Sequence, residues 1–148
     1  MRPHLGVRQQ IALMRRRWRD FRCERRGQQI VWRGWLQPAT WSTRYRVEVR
    51  YAPRRHEHRG GVAVRVLEPA LCVSDHQVGE VHLYRDRHLC LFNPHRREWA
   101  PSMPVAETII PWTSQWIYFY EVWCQTGEWL GGGEHGDAHM HEAPDEVE

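Results

Sequence analysis

Apolar positions recur at helical spacing near the start of the chain. Leu5, Ile11, Ala12, Met14, Trp18, Phe21 and Cys23 fall on one stripe, and arginine fills much of the rest. The spacing predicts an amphipathic helix over residues 5–26, stopped by Gly27. The pattern then shifts to the period of two that marks a strand. Residues 28–37 and 43–51 read as strands, with a turn over Pro38–Ser42 between them. In the second, Tyr45, Val47, Val49 and Tyr51 point one way, and Arg44, Arg46, Glu48 and Arg50 the other. After a polar loop over 53–61, a third strand is predicted at 62–66 and a short one at 81–84. The apolar and aromatic positions of residues 103–126 then predict a long helix, interrupted near Pro111, which suits a first helical turn. Trp112, Trp116 and Trp123 share one face of it. The order is a helix, antiparallel strands, an extended crossing and a helix, which is an α+β layout.

Composition narrows the class. With 148 residues, 41% of them hydrophobic and 26% charged, the chain makes one soluble globular domain over residues 1–133. Residues 134–148, acidic and rich in histidine, read as a flexible tail. Nine tryptophans point to aromatic packing. No apolar run reaches the roughly 18–20 residues that span a bilayer, and Met-Arg-Pro-His-Leu is no signal-peptide core, so a cytoplasmic protein without a membrane partner is expected. All of the basic charge is arginine, with 21 Arg and no Lys. The cluster from Arg15 to Arg26 fits a solvated helix face better than a nucleic-acid surface.

The four cysteines are Cys23, Cys72, Cys90 and Cys124. None forms a Cys-x-x-Cys pair, which argues against a zinc ribbon, and a reducing compartment argues against disulfides. Cys124, inside the aromatic helix, is expected in the core, with Cys23 on the arginine-rich helix and Cys72 at a strand end. Gly131, Gly132 and Gly133 lack the strand and the Gly-Lys-Ser/Thr of a phosphate loop. His135, His139 and His141 have no cysteine partner and read as part of the tail rather than a metal site. No cofactor or metal is expected.

Cys90 stands apart. Its surroundings read His82-Leu-Tyr-Arg-Asp-Arg-His-Leu-Cys90-Leu-Phe-Asn-Pro-His-Arg-Arg-Glu-Trp99-Ala-Pro101. A thiolate is the nucleophile in acyl transfer, and Arg85, Arg87 and His88 surround this thiol in sequence. His88 shares a face with Cys90 if the chain is extended, and either assists its deprotonation or is simply exposed.

This segment resembles the active site of ubiquitin-conjugating enzymes, where a His-Pro-Asn triplet precedes a catalytic Cys-Leu and a Trp-Ser-Pro follows. The element order over residues 5–126 resembles that fold as well. The C-terminal third, Ala106-Glu-Thr-Ile-Ile-Pro-Trp-Thr-Ser-Gln-Trp-Ile-Tyr-Phe-Tyr-Glu-Val-Trp and Thr126-Gly-Glu-Trp-Leu, resembles the bacterial branch associated with short type II CBASS antiphage operons. The resemblance implies a ubiquitin-conjugating (UBC-like) α+β fold in which Cys90 carries a thioester. It implies acyl transfer from the C-terminus of a partner to a target amine. That partner would be a cGAS-like nucleotidyltransferase or a ubiquitin-like protein. An adenylating activating enzyme normally charges the cysteine, although short-operon members act without a dedicated one.

The resemblance makes His82 a structural residue that holds the turn. The triplet reads His82-Leu83-Tyr84, so Pro and Asn are missing. Tyr84 stands where the Asn would be, and either its hydroxyl supplies the missing donor or the ring only packs. Trp99 and Pro101 read as packing and turn residues. The missing Pro and Asn favour a non-catalytic scaffold of the same fold, whereas the retained Cys90 opposes it. An arginine-rich nucleic-acid-binding domain is the other alternative.

Overall fold

A computed structural model describes residues 4–55 and 58–131. The chain opens with helix α1 (Val7–Arg17), followed by strands β1 (Arg22–Arg26), β2 (Gln29–Leu36), β3 (Tyr45–Tyr51) and β4 (Val62–Glu68), and later by helix α2 (Ile109–Thr126). The strands form one antiparallel meander in the order β1-β2-β3-β4. The expected tail over 134–148, with its three histidines, lies outside the described residues, as do Gly132 and Gly133.

The predicted first helix is too long, because its second half is β1. The helix ends where Trp18 leaves helical geometry (φ −131°) and sends its indole N–H to the Ala106 carbonyl at 2.8 Å. Beyond it, Arg22-Cys-Glu-Arg-Arg offers no buried stripe, and all five side chains are exposed. The backbone of these residues pairs along β2 from Arg22↔Arg33 to Arg26↔Gln29. Gly27, predicted to stop a helix, turns the β1–β2 hairpin with φ +61°, a conformation that suits glycine in a two-residue loop. The aromatic helix is also shorter than predicted. A single 3₁₀ turn (Val105–Glu107) comes first, and α2 starts after Thr108, which places Pro111 in its first turn, where the missing N–H costs nothing. The expected strand at 81–84 is a turn with one isolated bridge, Leu83↔Leu89.

The core lies between one face of the sheet and the helices. Ile30, Trp32, Val47, Val49, Tyr51 and Val64 meet Met14 from α1 and Ile109, Ile110, Trp116, Ile117, Tyr120 and Trp123 from α2. Trp112 is only partly buried, so the tryptophan face predicted for α2 is core at Trp116 and Trp123 and rim at Trp112. Gln10, fully buried, ties α1 to the turn before α2 by donating to the Met103 carbonyl and accepting from Val105 N–H.

The outer face of the sheet carries a charge cluster. Glu48 is 1% exposed and accepts hydrogen bonds from Arg33, Arg50 and Arg65 at 2.8–2.9 Å. Burial alone would raise its pKa, but the three guanidiniums prevail and hold it down to about 2.

Candidate active site

Between β4 and α2 the chain crosses the molecule as a series of turns. It is fixed to the sheet edge where Leu89 N–H donates to the Val64 carbonyl at 2.8 Å. The next residue is Cys90. Its N–H donates to the His82 carbonyl at 2.9 Å, which closes a loop on the predicted histidine. His82 has left-handed backbone (φ +55°), a costly conformation for a residue other than glycine, and the surrounding bonds hold it there. Trp116 Nε1 donates to the Val81 carbonyl at 3.0 Å and reaches that of His82 at 3.3 Å. Trp123 Nε1 donates to Glu80 at 2.8 Å. Two core tryptophans of α2 thus fix the position of the His82 turn.

Cys90 is 7% exposed and lines a pocket of about 560 Å³. The pocket also involves His82, Phe92, Glu98, Trp116, Phe119 and Trp129. The Trp129 ring lies against those of His82 (5.3 Å), Trp116 (5.5 Å) and Phe119 (6.0 Å). Glu98 reaches the pocket through a braced turn, because its carboxylate accepts from Asn93 N–H at 2.7 Å and Asn93 Oδ1 accepts from His95 N–H at 2.9 Å.

The remaining predicted residues occupy a different place. Tyr84 is 4% exposed with the Arg59 guanidinium 3.5 Å above its ring, and it does not line the cysteine pocket. Its neighbour Asp86 binds Arg59 at 3.1 Å and sits 3.0 Å from His88 Nδ1. Burial would raise the pKa of Asp86, but hydrogen bonds from His88 and the charge of Arg59 hold it well below the usual carboxylate range. His88 therefore faces an acid and does not line the pocket, although it is two residues from Cys90. Of the four predicted site residues, the pocket brings together Cys90 and His82. Trp99 is buried, and its indole N–H donates to Thr108 Oγ1 at 2.9 Å.

The other thiols reverse the sequence expectation. Cys23, Cys72 and Cys124 are exposed, so Cys124 is not core. In α2 the buried stripe runs through Trp116, Ile117, Tyr120 and Trp123, and the next position turns outward. Cys23 lies on β1 rather than on a helix. Partial burial pushes the thiol pKa of Cys23 and Cys124 up.

Sequence reasoning missed Glu98, Phe119 and Trp129 as pocket residues. Glu98 directly precedes the Trp-x-Pro, and the two aromatics sit in the quoted C-terminal segment, but neither spacing nor residue type showed that they converge on Cys90. Among the described residues, no group of three His, Cys, Asp or Glu is placed to hold a metal ion, and no helix is long and apolar enough to cross a membrane.

Comparison with known proteins gives the family. Residues 10–136 match the family model E2-CBASS, described as the Type II CBASS E2 protein. No curated protein gives a match.

Proposed function

We propose that this chain, which belongs to the Type II CBASS E2 family and so has an E2-like role in CBASS antiphage defence, acts as an acyltransferase with Cys90 as its nucleophile. The observation that carries the reading is the placement of this thiol. Cys90 alone of the four cysteines lines the walled pocket, and its backbone is tied to His82.

In the first step, Cys90 Sγ attacks the carbonyl carbon of an incoming thioester. A new C–S bond forms, the donor's C–S bond breaks, and the donor thiol leaves with a proton. In the second, an amine nitrogen attacks the Cys90 thioester, an amide forms, and the cysteine regains its proton. The acyl group is the C-terminus of a partner, either a cGAS-like nucleotidyltransferase or a ubiquitin-like protein. An adenylating enzyme, dedicated to this system or shared with another, supplies it as that thioester.

Each tetrahedral intermediate carries an oxyanion, and one well-placed donor lowers such a barrier by about 3 kcal/mol. Tyr84 lies under Arg59, outside the pocket, which favours its packing role. The pairing of His88 with Asp86 favours a structural role there too.

The test is co-expression with the genes that flank its own. Wild-type protein should yield an adduct that reductant cleaves. Cys90→Ser should convert it to an ester that survives reductant, is cleaved by alkali and maps to position 90. An adduct that persists in Cys90→Ala would refute the reading.

A further inference from the structure

Two of the three thiols outside the pocket meet at one hydroxyl group. Cys72 lies just past β4, in the stretch that leads into the crossing segment, and its N–H donates to Tyr120 Oη at 2.8 Å. Cys124 lies one turn after Tyr120 on α2, and the same hydroxyl is hydrogen-bonded to its sulfur. The Cys72 nitrogen and the Cys124 sulfur are therefore no more than two hydrogen bonds apart. Burial raises the Cys124 thiol pKa, the Tyr120 hydroxyl opposes that rise, and negative charge on Cys72 adds to it, so the two sulfurs lie within electrostatic reach of each other.

Both residues are exposed, so small solutes reach them. Cys23 is exposed as well, but it lies on β1, at the opposite edge of the sheet from β4. The hydroxyl that joins the pair also belongs to the support of the pocket. The Tyr120 ring stacks on Trp116 at 5.6 Å, and Trp116 donates to the Val81 carbonyl beside the His82 turn. A bond between the two sulfurs would close a loop that contains the whole crossing segment, His82 and Cys90 included.

We propose that Cys72 and Cys124 form a dithiol site outside the cysteine pocket, which a peroxide converts to a disulfide that ties α2 to the entry of the crossing segment. The step consumes two thiols and one peroxide. One thiolate attacks a peroxide oxygen, the O–O bond breaks, and a sulfenic acid and water result. The other thiolate attacks the sulfenic sulfur, the S–S bond forms, and the leaving hydroxide takes up the second proton as water. The peroxide is reduced and the two sulfurs are oxidised. The site stands independently of the role of Cys90.

Trypsin cuts after Arg65, Arg85, Arg87, Arg96 and Arg97, which places Cys72, Cys90 and Cys124 in separate peptides. Reduced full-length protein is treated with one molar equivalent of hydrogen peroxide, the remaining thiols are blocked with iodoacetamide, and the peptides are mapped without reductant. The main product should join the peptides over 66–85 and 98–148 through Cys72 and Cys124, with Cys23 alkylated. In Cys72→Ser the link should vanish and Cys124 should be alkylated like Cys23. Oxidised wild-type protein should melt several degrees above its reduced form, on the order expected for a disulfide across a long loop. Cys72→Ser should melt at the same temperature with and without peroxide. Cys72 and Cys124 recovered separately alkylated, or linked to Cys23 or Cys90 instead, would overturn the site. A joined pair with no rise in the midpoint would overturn the claim that the bond fastens the crossing segment.

Discussion

Gly34 sits in the middle of β2 with the Phe21 ring against its backbone. A Cβ added there would meet that ring at 2.4–2.7 Å. Both partners are core, so neither yields easily, and Gly34→Ala should destabilise the fold by about 1–3 kcal/mol. Phe21→Leu should recover part of the loss in the same background, as read by urea midpoints. The cysteines show how far single residues could be read from sequence. The motif around Cys90 singled out the thiol that lines the pocket. The expectation of Cys124 in the core fails, because one position on a helix moves a side chain by about a quarter turn out of the buried stripe. Tyr84 is a candidate because it stands where the Asn of the triplet would be, and His88 because it lies two residues from Cys90. The turn between Leu83 and Leu89 instead sends both toward Arg59 and Asp86.

At the level of elements, alternation was legible wherever one face is buried. The strands β2 and β3 and the helix α2 follow the predicted pattern closely. The strand β1 did not show itself, because an exposed edge strand of charged residues carries no hydrophobic period. The burial of Glu48 was equally invisible, since it depends on arginines from three strands. That cluster makes a pH prediction. The folded pKa of Glu48 lies below its unfolded value, so its stabilisation is present above about pH 4.5 and is lost as pH falls toward 2. The shift corresponds to stability on the order of 3 kcal/mol at neutral pH. Glu48→Gln should remove most of it at pH 7, and the gap between the two proteins should close on acidification. A gap independent of pH would show that the charge contributes nothing. Trp116 joins α2 to the His82 turn, and Trp116→Ala should cost about 3–5 kcal/mol in thermal or urea unfolding. An unchanged melting midpoint would contradict this.

Across the whole molecule, the α+β meander with its two helices carries a single crossing segment, and this segment bears the pocket. The chain has 21 arginines and no lysine. An enzyme that carries a thioester meets its own amines at high effective concentration, and if Cys90 carries one, we propose that the missing lysines direct transfer to partners rather than reflecting codon usage alone. Arg97 is exposed and adjoins Glu98 at the pocket. Arg97→Lys should therefore give a reductant-resistant self-conjugate at position 97, seen by mass spectrometry. If the variant transfers normally to its target and never modifies itself, the missing lysines have no protective role at this position.

The most direct test of the central claim uses the four cysteines together. In Cys23→Ser/Cys72→Ser/Cys124→Ser protein, only Cys90 remains. Produced with its neighbouring genes and analysed without reductant, this variant should retain the cleavable adduct at the wild-type level, and the single variant Cys90→Ala should show none. Loss of the adduct in the triple variant, or its survival in Cys90→Ala, would contradict Cys90 as the acyl carrier.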